Sequence, residues 1–231
     1  MDLATAMREL EAAGTAQNRK VYGRHGVREP YFGVSYSALG ALRKQIKRDQ
    51  QLARELWATG NHDARILATM IADPKQCDEA LLAGWAADID NYVLSDALAT
   101  VVAAAPDAYA IASRWVDRGG EWIASAGWNA LAGGALGSEL PDETWLTWLA
   151  RIEREIHQAP NRVRYAMNNV LIAIGGRSDW LADHARAAAE RIGTVHVDHG
   201  ETGCKTPDAA SMIGKMRDRE AAKQEKLKAK H

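Results

Sequence analysis

Cysteine is scarce in this chain: there are two in 231 residues, Cys77 and Cys204, 127 positions apart and in no CxxC pair. That excludes a disulfide scaffold and fits a reducing, cytoplasmic setting. No apolar run approaches the roughly 20 residues needed to cross a bilayer, and the acidic start Met1-Asp2-Leu3-Ala4 lacks the basic and apolar regions of a secretory leader. Membrane insertion is therefore not expected. Phosphate-binding glycine–lysine loops, strand-linked dinucleotide fingerprints and nucleophile-elbow serines are absent too, so no nucleotide cofactor is expected. The glycine pairs at 119–120, 133–134 and 175–176 follow or interrupt helical stretches and read as caps and turns. Almost nothing in the first 190 residues reads as a strand.

What is there is one short amphipathic helix after another. Apolar residues recur at three- and four-residue spacing, with breaks every 12 to 20 residues. The spacing predicts helices at 3–13, 15–25, 37–48, 50–59, 62–72, 75–88, 91–105, 107–118, 121–136, 142–158, 161–174 and 179–192. Thr15 and Asn61 are good N-caps, Pro74 suits a first turn, Pro106 precedes Asp107, and Pro141-Asp142-Glu143 puts acids at the positive end of a helix dipole. Residues 26–36, with Gly26, Pro30 and Gly33, read as a structured loop. A composition that is 47% hydrophobic can bury a continuous core through such a stack. The fold class expected is all-α: a HEAT-like α-solenoid of about twelve helices whose concave wall is a binding groove. The domain expected spans 1–210, with a basic, mobile tail at 211–231.

The net charge of −1 conceals an asymmetry. Residues 18–48 carry eight basic residues against Glu29 alone, for a net +7, while 49–210 carry −10 and 211–231 carry +4. Arg43/Lys47 and Lys44/Arg48 are each four apart on one helix. Such separated fields can hold a polyanion, whereas solvated faces and a frayed tail would give the same arithmetic.

Several residues stand out from the apolar pattern. Asn168 and Asn169 sit mid-helix, where unpartnered amides are costly, and pair at i,i+4 with Arg164 and Tyr165. That polar strip suits phosphate or base-edge contacts, or it ties down a neighbouring loop. The tryptophans mostly follow apolar stripes, but Trp122 and Trp128 are six apart and face different ways, which makes Trp128 a groove candidate. Residues 194–206 differ from the rest: Val195 and Val197 alternate as in a short strand. His196, Asp198, His199 and Cys204 could bind zinc, but their spacing matches no closed site, and an extended segment docked on the last helix pair fits better. No metal is expected.

The segments YGRHGVREPYFGVSYSALGALRKQIK (22–47), LWATGNHDARILATMIADP (56–74) and DNYVLSDAL (90–98), in that order, resemble the DNA alkylation repair family of AlkD-like HEAT-repeat glycosylases. RVRYAMNNVLIAIG (162–175) and IGTVHVDHGETGCKTPDA (192–209) are similar to one bacterial branch of it. The resemblance covers roughly residues 18 to 210. It implies a monomer binding alkylated double-stranded DNA, with no cofactor, and excision of cationic N3- or N7-alkylated purines. It also implies catalytic roles for Asp96 and Tyr92, through the family's aromatic-x-x-x-Asp element. A carboxylate beside the sugar would stabilise the oxocarbenium-like state of N-glycosidic cleavage. Periodicity is compatible: Leu94, Leu98, Val101 and Val102 form the core stripe, and Tyr92 and Asp96 share the opposite face. DNA contacts are expected from Arg43, Lys47, Arg164, Tyr165, Asn168, Asn169 and Trp128.

Three departures weigh on catalysis. The family's Trp before the Asp is Tyr92 here. The helix at 121–136, which supplies a groove Arg in glycosylase members, has no basic residue, and Asn169 stands where a second groove Trp is found. A non-catalytic HEAT scaffold holding DNA or a protein partner is the rival reading.

Overall fold

The computed structural model describes residues 1–228; the side chains at 223, 224 and 226–228, and residues 229–231, lie outside the described part. Among the described residues thirteen α-helices follow one another: α1 (Leu3–Ala13), α2 (Ala16–Arg24), α3 (Tyr36–Ile46), α4 (Gln50–Ala58), α5 (His62–Ile71), α6 (Glu79–Ala87), α7 (Tyr92–Ala104), α8 (Ala108–Trp115), α9 (Glu121–Ala135), α10 (Asp142–Glu155), α11 (Asn161–Gly175), α12 (Asp179–Ile192) and α13 (Ala209–Lys228). A 3-10 turn, Pro74–Gln76, precedes α6. The helix starts have local causes. Thr15, Ser35, Asp49, Asn61, Asp78, Asn91 and Ser178 each accept a hydrogen bond from the backbone N–H three residues on, filling a donor the helix leaves open.

The helices stack in two layers. The inner layer runs α3, α5, α7, α9, α11, each packed on the next, and α4, α6, α8, α10 and α12 back it. The core lies between the layers. Trp115, Trp128 and Trp145 are fully buried in it, and Trp57 stacks on Trp85 at 4.5 Å. Burying one large apolar side chain contributes roughly 1.5–3 kcal/mol, so the inter-layer seam holds the solenoid together. Among the described residues no helix is long and apolar enough to cross a membrane.

Two segments wall the edge where α5, α7, α9 and α11 begin. The first is α2 with the loop 26–35. Asp63, fully buried at the start of α5, accepts the N–H groups of Phe32, Gly33 and Val34 at 2.6, 3.1 and 2.9 Å, and the Tyr22 hydroxyl at 2.8 Å. Gly33 has φ +82°, and a Cβ there would meet Arg19 at 2.7 Å, so only glycine lets the loop lie this close to α2.

The second wall is the strap 193–208. The strand expected at Val195–Val197 does not form. Val195 does bury its side chain, but the strap's polar backbone groups are claimed by side chains of α11 instead of a partner strand. Asn161 exchanges two 2.7 Å hydrogen bonds with the backbone of Asp198, and Arg164 donates to the His196 carbonyl at 2.6 Å. The strap then reaches α2, where Gly203 and Cys204 lie beside Arg24 and His25.

The boundary expected at residue 210 falls inside α13. Ile213 is fully buried and presses on Gly175, Met216 presses on Gly176, and Arg217 pairs with Asp179. The last part of the expected tail lies outside the described residues.

Candidate nucleic-acid interface

The site is built outward from α7. Asn91 caps the helix by accepting from Leu94 N–H at 3.1 Å, which sets Tyr92 at its first position and Asp96 one turn on. Leu94, Ser95, Leu98, Val101 and Val102 are buried. The Ser95 hydroxyl donates to the Trp122 carbonyl at 2.8 Å, locking α7 to α9. Tyr92 and Asp96 are thereby held off the core, on the groove.

Asp96 is the focus of a network. Its Oδ1 accepts from the Asn129 amide of α9 at 2.8 Å, and the Asn129 carbonyl accepts from the Asn169 amide of α11 at 3.0 Å. Three inner helices are thus joined by two amides ending on one carboxylate. The Asp96 side chain is 41% exposed, with Arg162 Nη2 at 3.9 Å from its Oδ2. Although open to the groove, the carboxyl is recessed among protein walls. Burial pushes it up to about 6, against the lowering pull of the Arg162 charge and the Asn129 hydrogen bond.

Arg162, at the start of α11, supplies a groove cation that sequence reasoning missed. Its guanidinium carbon lies 3.8 Å from the ring centre of Tyr92 and 4.7 Å from that of Tyr165. His25, ending α2, hydrogen-bonds the Tyr92 hydroxyl through Nδ1, and His199 of the strap meets Tyr165 edge-to-face at 5.5 Å. A cavity of about 640 Å³ opens here, its wall including His25, Tyr36, Met70, Tyr92, Asp96 and Cys204. Tyr36, 55% exposed, stands in that wall as a further aromatic surface.

The groove continues into a basic stretch. A second hollow of about 610 Å³ is lined by Arg43, Lys44, Lys47 and Arg48, and it shares Thr69, Met70 and Thr100 with the first. All four cations are exposed; Arg48 also reaches Asp73 at 3.4 Å. Lys47 closes α3 with φ 67° and ψ −127°, a left-handed conformation that is strained for a residue with a side chain.

The structure therefore brings Tyr92, Asp96, Tyr165 and Asn169 together, and sets Arg43 and Lys47 in the adjoining hollow. It does not bring the other three candidates there. Arg164 spends its guanidinium on the His196 and Ala159 carbonyls. Asn168 is fully buried and donates to the Pro207 carbonyl at 3.0 Å, tying down the strap. Trp128 is 1% exposed and packs in the core on Trp148, with ring centres 5.3 Å apart. Asn129, Arg162, His25 and Tyr36 were not singled out beforehand; only the i,i+3 spacing of Arg162 and Tyr165 carried a signal. In the strap, Asp198 accepts from Gly200 N–H and His199 bonds Thr206. Among the described residues, no three potential metal ligands converge.

Short helices stacked pairwise in two layers define a HEAT-like α-solenoid. The comparisons agree: a family model described as DNA alkylation repair enzyme matches residues 6–210, and the chain belongs to that family. It is 30% identical over 220 residues to an uncharacterized protein of Listeria innocua, the match covering 91% of this chain and 95% of that one. An uncharacterized Listeria monocytogenes protein is also 30% identical, with the same coverage, 91% and 95%. A solved structure, described as a new family of proteins related to the HEAT-like repeat DNA glycosylases with affinity for branched DNA structures, is 34% identical. It superposes with a TM-score of 0.86 over 95% of both chains.

Proposed function

We propose that this protein binds DNA in its concave groove, gripping phosphates with the α3 cations and presenting the Tyr92–Asp96–Arg162 cluster to the bound strand. The observation that carries the reading is the continuity of the basic hollow with the Asp96 cavity through Thr69, Met70 and Thr100. A strand held by Arg43 and Lys47 is led directly to the aromatic cluster. The structural relative's affinity for branched DNA favours junctions as the preferred form. Band-shift assays at low salt, comparing a linear duplex with three- and four-way junctions of the same sequence, test this. Tighter binding to junctions is expected. No binding to any DNA would favour a HEAT scaffold for a protein partner.

A second reading, excision of cationic alkylated purines from duplex DNA, is supported by the Asp96 carboxylate beside Tyr92. Arg162 opposes it: a guanidinium 3.9 Å from Asp96 partly neutralises the carboxylate and repels a positively charged base. Release of methylated bases from alkylated DNA by wild type and Asp96→Asn protein decides the matter. Excision lost on the Asn substitution would establish it; no release by wild type would remove it.

A further inference from the structure

Arg162 is an unusual cation. Its side chain is only 9% exposed, yet among the described residues no hydrogen-bond acceptor lies within reach of its guanidinium nitrogens, and Nε is wholly buried without a partner. The Asp96 oxygen at 3.9 Å is too far for a hydrogen bond. Stacking on Tyr92 and Tyr165 offsets part of the charge but fills none of the five N–H donors. The sealed Nε without a partner costs free energy, while the Nη nitrogens are not fully buried and are the donors an incoming oxyanion would meet.

We propose that Arg162, clasped between Tyr92 and Tyr165, is an oxyanion receptor that takes a phosphate group, either the terminal phosphate of a DNA strand or free phosphate. The planar fork suits a phosphate's paired oxygens. His25 from α2 and His199 from the strap stand on either side, one against each tyrosine. Burial, with the charges of Arg24 and Arg162, holds His25 below its ordinary range, and burial with the charge of Arg162 does the same for His199, so neither ring adds a full positive charge at pH 7. Asp96 repels an anion from its own side, so the phosphate enters away from it. The strap and α2 wall this end of the groove, which suits a protruding terminal group better than a strand running through. The proposal rests on the DNA-binding reading only for the source of the phosphate.

Calorimetric titration of the full-length protein with inorganic phosphate at pH 7.5 and constant ionic strength tests the receptor without any DNA. A saturable single-site binding is expected, weakened roughly tenfold or more in Arg162→Gln, since charged hydrogen bonds are lost. Arg162→Lys keeps the charge but not the fork and should fall between the two; it carries the test if the Gln variant does not fold. No saturable binding, or equal affinity in wild type and the substituted proteins, would overturn the receptor. Anisotropy with 5′-phosphorylated and 5′-hydroxyl oligonucleotides then identifies the source. An Arg162-dependent preference for the phosphorylated strand assigns DNA ends, while phosphate binding without that preference assigns free phosphate. Phosphate binding that survives a complete failure to bind DNA would leave the receptor standing and remove the DNA reading.

Discussion

Arg162 and Asp96 face each other across the groove from different helices, guanidinium to carboxylate at 3.9 Å, with the Tyr92 ring beneath the guanidinium. Neither is fully answered by the other. The carboxyl is held above its usual range despite a cation nearby, and the cation keeps unfilled donors despite a carboxylate nearby. Titratable groups shifted by burial beside a specific charge partner in a cleft cluster at functional sites.

The raised Asp96 makes a pH-dependent prediction. A carboxyl whose folded value, about 6, exceeds its unfolded value of 3.8 adds stability below about pH 4 and loses it as pH rises through 6. Because the side chain is 41% exposed, screening limits the effect to about 1 kcal/mol. Asp96→Asn should therefore raise the melting temperature at pH 7.5 and leave it nearly unchanged at pH 4. Equal shifts at both values would show that Asp96 is not held up by its surroundings.

Asn129 is the middle of the amide relay, so Asn129→Ala removes a donor from Asp96 and an acceptor from Asn169 at once. A stability loss of about 1–2 kcal/mol is expected, with Asp96 moving further up in an NMR carboxyl titration. Downward movement would contradict the relay.

Lys47 predicts effects of opposite sign. Its φ of 67° is natural for glycine, so Lys47→Gly should stabilise the fold by about 1 kcal/mol while weakening DNA binding. Thermal denaturation and a binding isotherm on the same preparation check both. Destabilisation would show that the Lys47 side chain contributes more to α3 than its strain costs.

Asp63 anchors the wall on the N-terminal side. Asp63→Ala leaves three backbone donors without their acceptor and leaves the Tyr22 hydroxyl only the Val34 carbonyl at 2.6 Å, and should cost about 3 kcal/mol or more. Hydrogen exchange should accelerate first at Phe32, Gly33 and Val34. Unchanged protection there would refute the anchor.

The helices were legible because three- and four-residue periodicity reports burial against any neighbouring layer, and because caps such as Thr15 and Asn61 act locally. The groove face of α7 was legible for the same reason: its apolar stripe left only one face for Tyr92 and Asp96. The groove face of α11 was not. Arg162 and Arg164, two residues apart, point about 200° away from each other around the helix. Which one meets the groove depends on how α11 stacks on α9, and the strap that claims Arg164 arrives from 32 residues later in the chain. The face of Trp128 depends on tertiary packing in the same way, since Trp148 and Arg151 of α10 cover it. The strap's alternating valines predict a strand only because alternation marks burial, not the identity of the hydrogen-bond partner.

The dependence of DNA affinity on salt tests the groove most directly. Each phosphate held by a cation releases counterions and contributes a slope of about −0.9 to log affinity against log salt. The account predicts a steep negative slope for the wild type on junction DNA. The Arg43→Ala/Lys47→Ala protein should bind more weakly, with the slope shallower by roughly 2. A wild-type affinity indifferent to salt, or a slope unchanged by removing both cations, would contradict the claim that this groove grips DNA.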